Sequence, residues 1–231
     1  MAGKSNGRKK STRRSGGRSN IIMPSRAEVR RAVDSLPAEM TWDELGDGLR
    51  PVFLRRRPMP PGAERPVTIR LPLGISVGLG VDIGPAFMYV GAEMLKSWSV
   101  TVDEAFARAM ENLRDQVAAE RYAEMEYGTI AELPLWFYQS RGGLASGLLL
   151  LEDELTRLYG DEPRLLLAPM RNMLVAAPFD SDRELLGWIC DEISHEDPNG
   201  LDLPIFALVE GRLWIDAGAG RPAEPSAIQV H

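Results

Sequence analysis

The sequence predicts an α+β protein, with a mixed, mainly antiparallel sheet and about three packed helices behind a disordered basic N-terminal tail. Its 231 residues, 44% of them hydrophobic, can bury a sizeable core. Sequences that cap helices stand before apolar residues at helical spacing, and short runs of alternating apolar residues are typical of strands. The two patterns interleave irregularly, which favours α+β over a repeated strand–helix–strand order.

Composition divides the chain into five segments. Residues 1–22 form a tail that is rich in Gly, Ser, Asn and basic residues and has too few apolar ones to fold. A helical lead-in spans 23–54, and a Pro-rich loop spans 55–66, where missing amide donors exclude regular structure. The α+β domain spans 67–217, and the C-terminal tail over 218–231, rich in Gly, Pro and Ala, is expected to be flexible.

Four capping boxes predict where helices begin, because a Ser or Thr hydroxyl and a Glu carboxylate satisfy amide donors of the first turn. They occupy 25–28, 41–44, 101–104 and 181–184. The third precedes apolar residues at the helical period, so its helix is expected to run to about Glu126 and end at Gly128. Another helix is expected between the acidic run at 152–154, which suits a helix N-terminus, and Gly160.

Strands are predicted where apolar residues alternate or form short buried runs. Between 75 and 83 the alternation is strict, with Ser, Gly or Asp at the even positions, so one face is expected to pack on the core. Glu210 and Gly211 are expected to turn a hairpin between 204–209 and 212–215. The other predicted strands are 67–73, 86–90, 133–138, 164–168 and 172–177.

The net charge of −6 combines a basic tail with an acidic body. The tail has no acidic residue, and the rest of the chain holds 20 basic residues against 33 acidic ones, a net charge of −13. A solvated, solubilising tail is one interpretation. Weak nonspecific nucleic-acid contact through phosphate neutralisation is the main alternative, although no aromatic residue is present to stack on bases, and contact with an anionic membrane surface is a third. The basic residues concerned are Lys4, Arg8, Lys9, Lys10, Arg13, Arg14 and Arg18.

The residue types that carry most catalytic and metal chemistry are scarce. Cys190 is the single cysteine, which excludes an internal disulfide, and His195 and His231 are too few for a His-rich zinc site. A nucleophile elbow at Ser146 is excluded because its flanking glycines have the wrong spacing. We therefore expect no metal and no cofactor. No apolar run approaches the roughly 20 residues of a membrane span, so we expect a cytoplasmic protein.

Gly78, Gly80 and Gly84 invite comparison with a dinucleotide-binding fingerprint. Ile83 stands where the third glycine belongs, and no helix is predicted to open here and hold a pyrophosphate. We interpret these glycines as relieving crowding, or marking a bulge, on a twisted strand.

The order of short motifs over about residues 42–215 resembles the bacterial YtpQ-like family of unknown function. A strand that ends in Asp82 precedes a Leu-x-x-Trp segment at Trp98 and an Ala-x-x-Asn-Leu sequence at Asn112. Downstream, Pro169-Met-Arg171-Asn172 is similar to a Pro-x-Arg-Asp segment of the family, with Asn172 in place of the usual Asp. The resemblance implies a cytoplasmic α+β domain and no established activity.

Four polar residues form the candidate cluster: Asp82, Asn112, Arg171 and Asn172. Arg171 stands between two apolar strands, where an unpaired guanidinium would be costly, so we expect it to be partly buried and paired with an acid or with backbone carbonyls. Convergence of the four in one concave pocket would favour an enzyme, whereas a large exposed apolar patch would favour a binding module.

Three functions follow from these patterns. The leading hypothesis is a noncatalytic cytosolic binding or regulatory module with a protein or small-molecule partner, because catalytic residue types are scarce. The first alternative is an enzyme of unrecognised type that uses carboxylates and Arg171. The second is a nucleic-acid-associated protein that acts through its basic tail.

Overall fold

The computed structural model describes residues 26–34, 40–55, 64–82, 87–120, 125–140, 143, 145–196 and 200–216. The predictions for the tail at 1–22 and the C-terminal segment at 218–231 lie outside these residues, as does most of the predicted Pro-rich loop. The capping box at 25–28 also falls outside them, because Ser25 is not described, but a helix over Arg26–Asp34 follows it.

A four-stranded antiparallel sheet is built around its longest strand. Strand β3 pairs with β1 along one edge, and with β2 and β4 at the two ends of its other edge. The predicted alternation in β3 is confirmed, since Val77, Leu79 and Val81 are all buried in the core. The strands are β1 (Leu49–Phe53), β2 (Thr68–Arg70), β3 (Ser76–Asp82) and β4 (Phe87–Tyr89).

A second sheet has six strands, and each neighbouring pair is antiparallel. Its strand order is β10-β9-β7-β8-β6-β5. The α+β class is confirmed, while the division of the strands between two sheets is a feature that the sequence did not predict. The strands are β5 (Glu126–Ile130), β6 (Leu133–Gln139), β7 (Arg164–Met170), β8 (Met173–Pro178), β9 (Phe206–Val209) and β10 (Arg212–Ile215).

Six α-helices, a buried 3-10 helix at Ala145–Leu150 and two shorter 3-10 turns at Gly46–Gly48 and Pro72–Gly74 complete the described part of the chain. Helix α4 packs on β1, and α6 packs on β7. Within the ranges that the structure covers, no helix is long and apolar enough to cross a membrane. The helices are α1 (Arg26–Asp34), α2 (Trp42–Leu45), α3 (Ala92–Trp98), α4 (Val102–Ala119), α5 (Glu152–Tyr159) and α6 (Arg183–Glu196).

Both faces of the second sheet are buried at its central strands β7 and β8, which explains the continuous apolar runs of these two strands. Leu166 of β7 faces a core that both sheets share with α4 and the 3-10 helix. Leu165, one residue earlier, faces a smaller core under α6, where it meets Leu186 and Ile189. Alternate side chains of strand β7 therefore pack into different cores on the two faces of the sheet.

Two of the predicted capping boxes are confirmed, and one is corrected. At the start of α2 and of α4, Thr41 and Thr101 each form the reciprocal bonds with a glutamate three residues on. At the start of α6, the amides of residues 184 and 185 instead donate to the carboxylate of Asp182, at 2.8 and 3.2 Å. The predicted cap, Ser181, was wrong by one position, because the Asp182 carboxylate reaches the same amides.

The predicted end of α4 was wrong. The helix ends at Ala119, and Gly128, expected as its stop, lies inside β5. Strand β5 pairs with β6, and the ring of Tyr127 meets that of its cross-strand partner Trp136 at 5.6 Å. Such cross-strand aromatic pairs stabilise a sheet and here override the local helical pattern.

The predicted helical lead-in over 23–54 also needs correction, because its last part is strand β1. Pro51 obscured this strand, since proline is depleted in strands, yet it is tolerated here because β1 is an edge strand of its sheet. The strand predicted over 67–73 is shortened to Thr68–Arg70 and is followed by a 3-10 turn at Pro72–Gly74.

Candidate functional site

Gly80 makes room for an aromatic ring over one face of the first sheet. A β-carbon at Gly80 would lie 1.9 Å from Cε1 of Phe87, so the ring lies directly over strand β3. Arg50 of β1 and Tyr89 of β4 both pair with Gly80, which places them on this same face. The glycine therefore relieves crowding, as its position in a strand predicted.

The turn between β7 and β8 brings Arg171 to this face. Its backbone carbonyl accepts a hydrogen bond from the amide of Ser146 at 2.9 Å, and the carbonyl of Asn172 accepts one from the amide of Ser140 at 3.0 Å. These two bonds hold the turn against the 3-10 helix and the end of β6. Because its backbone is held on both sides, Arg171 projects from a rigid base.

The Arg171 side chain meets two aromatic rings. Its Nη2 donates a hydrogen bond to the phenol oxygen of Tyr89. The guanidinium carbon lies 5.6 Å from the centre of the Tyr89 ring and 5.9 Å from that of Phe87, within cation–π range. Arg171 is half-buried, as predicted, but the described hydrogen-bond partner of its guanidinium is the neutral phenol of Tyr89, which the hairpin of β3 and β4 places there, and not the predicted acid or backbone carbonyl.

One guanidinium nitrogen of Arg171 lacks a hydrogen-bond acceptor among the described residues. Nε of Arg171 is buried and has no hydrogen-bond partner among the residues that the structure describes. A buried donor left unpaired costs about 1–3 kcal/mol. The site thus holds a positive charge whose described contacts are a neutral hydroxyl and two ring faces.

Arg171 and Arg50 line the same small cleft, which has a volume of about 60 Å³. Arg50 lies on β1, and its Nη1 is 3.5 Å from Oδ2 of Asp82. The described lining contains two guanidinium groups and no carboxylate. Its members are Arg50, Pro51, Val52, Phe87, Leu113, Gly143, Ser146, Gly147 and Arg171.

The four residues of the predicted cluster do not form one site. Arg171 lines the cleft, and Asp82, which is not among the described lining residues, forms an ion pair with Arg50. The Asn112 side chain is buried and donates to the carbonyls of Gly46 and Leu49, at 2.6 and 3.0 Å, so its role is to fix α4 against the start of β1. Asn172 contributes its backbone to the turn.

A second pocket, of about 200 Å³, adjoins the cleft at Arg50. Its other described lining residues are Gln116, Ala119 and Glu120, from the last turn and C-cap of α4. Oε1 of Gln116 is buried without a hydrogen-bond partner in the described chain. Oε2 of Glu120 accepts a hydrogen bond from the Ser140 hydroxyl at 2.8 Å.

Three contributors to the site are not predicted from the sequence: Arg50, Phe87 and Tyr89. Arg50 was hidden because its strand contains a proline and was assigned to the helical lead-in. Phe87 and Tyr89 lay in a predicted strand, but their meeting with Arg171 depends on how the two sheets pack. Gly80 was the available clue, because a glycine inside a strand indicates close approach of another group.

Trp98, part of the motif that carries the family resemblance, has a packing role. Its indole Nε1 donates to the carbonyl of Met40 at 2.6 Å, and its ring lies 5.7 Å from that of Trp42. Both rings border a wide groove of about 640 Å³. This groove is separate from the arginine-lined cleft, with which it shares no lining residue in the described chain.

Cys190 and His195 lie on α6, away from the cleft. The Cys190 side chain packs in the smaller core, and burial raises the pKa of its thiol to about 12. It is therefore a protonated, packed side chain at neutral pH, as predicted. In the described ranges no three His, Cys, Asp or Glu side chains are grouped as metal ligands would be.

Comparison with known proteins gives no relative: no family model, curated protein or solved structure matches the chain.

Proposed function

We propose that this chain is a noncatalytic cytoplasmic binding module that holds the anionic group of a small molecule between Arg171 and Arg50. We also propose, from the motif order around Asp82 and Asn112, that it belongs to the YtpQ-like family. The observation that carries the function is the unpartnered, buried Nε of Arg171 in a cleft whose described lining has no carboxylate.

An oxyanion would supply the hydrogen-bond acceptor and the negative charge that the Arg171 guanidinium lacks among its described contacts. Carboxylate and phosphate oxygens accept from adjacent N–H groups of arginine in a fork geometry, and such charge-assisted bonds are about twice as strong as neutral ones. Tyr89 occupies Nη2 and restrains the guanidinium, while Nε has no acceptor among the described residues. Arg50 adds a second positive group, partly balanced by Asp82.

The size of the cleft limits what it can enclose. Its volume is about 60 Å³. Pockets that enclose whole cofactors or drug-sized ligands are about 300–1,000 Å³. The cleft therefore suits one carboxylate or phosphoryl group, with the rest of the ligand outside it.

The contents of the cleft favour binding over catalysis. Ser146 has a hydroxyl in the lining, but covalent catalysis would need a base within hydrogen-bond reach. His195 is on the exposed surface of α6, and the described lining residues include no histidine or carboxylate. The two arginines can hold and orient an anion without a group that moves a proton.

Thermal unfolding with added anions tests the proposal. Sodium acetate and sodium phosphate should raise the melting temperature above that in sodium chloride of equal ionic strength, because a ligand that binds only the folded state stabilises it. Arg171→Gln should lose this increase, while Arg212→Gln, an exposed arginine on β10, should keep it. Equal increases in the wild type and in Arg171→Gln would overturn the proposal.

A further inference from the structure

We infer that the ligand is a short amino-carboxylate, whose carboxylate lies between the two arginines and whose ammonium group faces Gln116 and Glu120. This inference rests on the proposed function and adds the class of ligand. It follows from the second pocket, whose described lining adds a carboxylate and an amide to Arg50.

The two cavities are neighbours because they share a wall. Arg50 lines both, and we place the carboxylate of the ligand against Arg50 in the cleft and the rest of the ligand in the pocket. The pocket, at about 200 Å³, is larger than the cleft and takes the part of the ligand that the cleft cannot enclose.

The described polar groups that line this pocket beyond Arg50 are acceptors of the kind that an ammonium group needs. Oε1 of Gln116 is a buried acceptor with no partner among the described residues, and Glu120 carries a negative charge. An ammonium group has three donors and no acceptor, so it can bond both oxygens while Glu120 keeps its bond from Ser140.

The end of helix α4 strengthens this preference. Gln116 lies in the last turn of the helix and Glu120 is its C-cap, where the unsatisfied carbonyls give a negative partial charge that favours cations. At the other cavity, the guanidinium of Arg171 favours an anion. A zwitterion with its two charges on a short carbon chain matches both ends, whereas a phosphate or a simple carboxylate matches only one.

Three matched pairs of ligands test the inference by calorimetric titration of the full chain. Each pair differs by the amino group alone: glycine with acetate, β-alanine with propanoate, and 4-aminobutanoate with butanoate. At least one amino acid should bind tenfold or more tightly than its plain carboxylate. The three pairs also measure the separation of the two charges that the site prefers.

Glu120→Gln should remove this advantage and leave the affinity for the plain carboxylate unchanged, because the amide is the same size and can still accept from Ser140. Asp115→Asn, on the exposed surface of the same helix, is the matched control and should keep the advantage.

If plain carboxylates bind through Arg171 but the amino group adds no affinity in any pair, the inference is wrong and the proposed function stands. An advantage that survives in Glu120→Gln would also overturn the inference. If neither carboxylates nor amino acids bind, both the inference and the proposed function fail.

Discussion

Arg171 donates a hydrogen bond through Nη2 to the phenol oxygen of Tyr89, and this bond joins the turn between β7 and β8 to strand β4 of the other sheet. Because Tyr89 is neutral, the bond orients the guanidinium without compensating its charge. The same contact therefore links the two sheets through an arginine whose charge it leaves uncompensated.

Replacing Gly80 by Ala should destabilise the protein by about 1–3 kcal/mol, the usual cost of overpacking. The added methyl group would occupy the position of the Phe87 ring, 1.9 Å from Cε1, and displace that ring from the cleft. Chemical denaturation measures the loss. Gly187→Ala is the control, since nothing lies within 4 Å of its added methyl and alanine favours the helix. Equal stability of the Gly80→Ala and wild-type proteins would contradict the described packing.

Asn112→Ala should lower the free energy of unfolding by about 1–3 kcal/mol, because it leaves the buried carbonyls of Gly46 and Leu49 without their donor. The affinity of the folded protein for acetate should not change, since the Asn112 side chain is outside the cleft. Asp115→Ala, an exposed change on the same helix, should stay within about 0.5 kcal/mol of the wild type. If Asn112→Ala lost its affinity for acetate but kept the stability of the wild type, Asn112 would be a binding residue and the structural role described here would be wrong.

Glu104 should make the stability of α4 depend on pH. Hydrogen bonds from the Thr101 hydroxyl and amide hold the pKa of this carboxyl below its usual value of 4.5. A lowered pKa in the folded state contributes stability above the usual pKa, and that contribution is lost as the pH falls through the lowered value. Glu104→Gln keeps a capping residue but removes the charge.

The difference in melting temperature between the wild type and Glu104→Gln should therefore be present at pH 7 and disappear at acidic pH. Asp115→Asn provides the comparison for loss of a charge that makes no capping bond. A difference that is the same at pH 7 and pH 3 would show that the charge of Glu104 does not stabilise the helix.

The sequence predicted the helices, strands and turns that are determined by residues close to one another in the chain. The boxes at Thr41 and Thr101 mark the starts of α2 and α4 because the capping bonds involve residues only three apart. The alternation along β3 and the turn at Glu210 and Gly211 are likewise properties of a few adjacent residues, and the structure confirms both elements.

Strands that form by pairing with residues far away in the chain could not be predicted in this way. Strand β1 exists because it pairs with β3, almost thirty residues later, and its own sequence contains Pro51. Strand β5 replaces the predicted end of α4 because β6 offers an aromatic partner. In the site, Arg171 was selected from the sequence, but Arg50 and Tyr89 reach it through the pairing of β1 and β4 with β3 and the packing of two sheets.

The Nε–H resonance of Arg171 in a ¹H–¹⁵N NMR spectrum tests the central claim most directly, because this is the group that the anion is proposed to bind. The resonance is assigned by its loss in Arg171→Gln. During titration with acetate at constant ionic strength, it should move downfield and saturate, while the resonance of exposed Arg212 should not. An Arg171 resonance that stays in place, or moves without saturation together with that of Arg212, would contradict the claim.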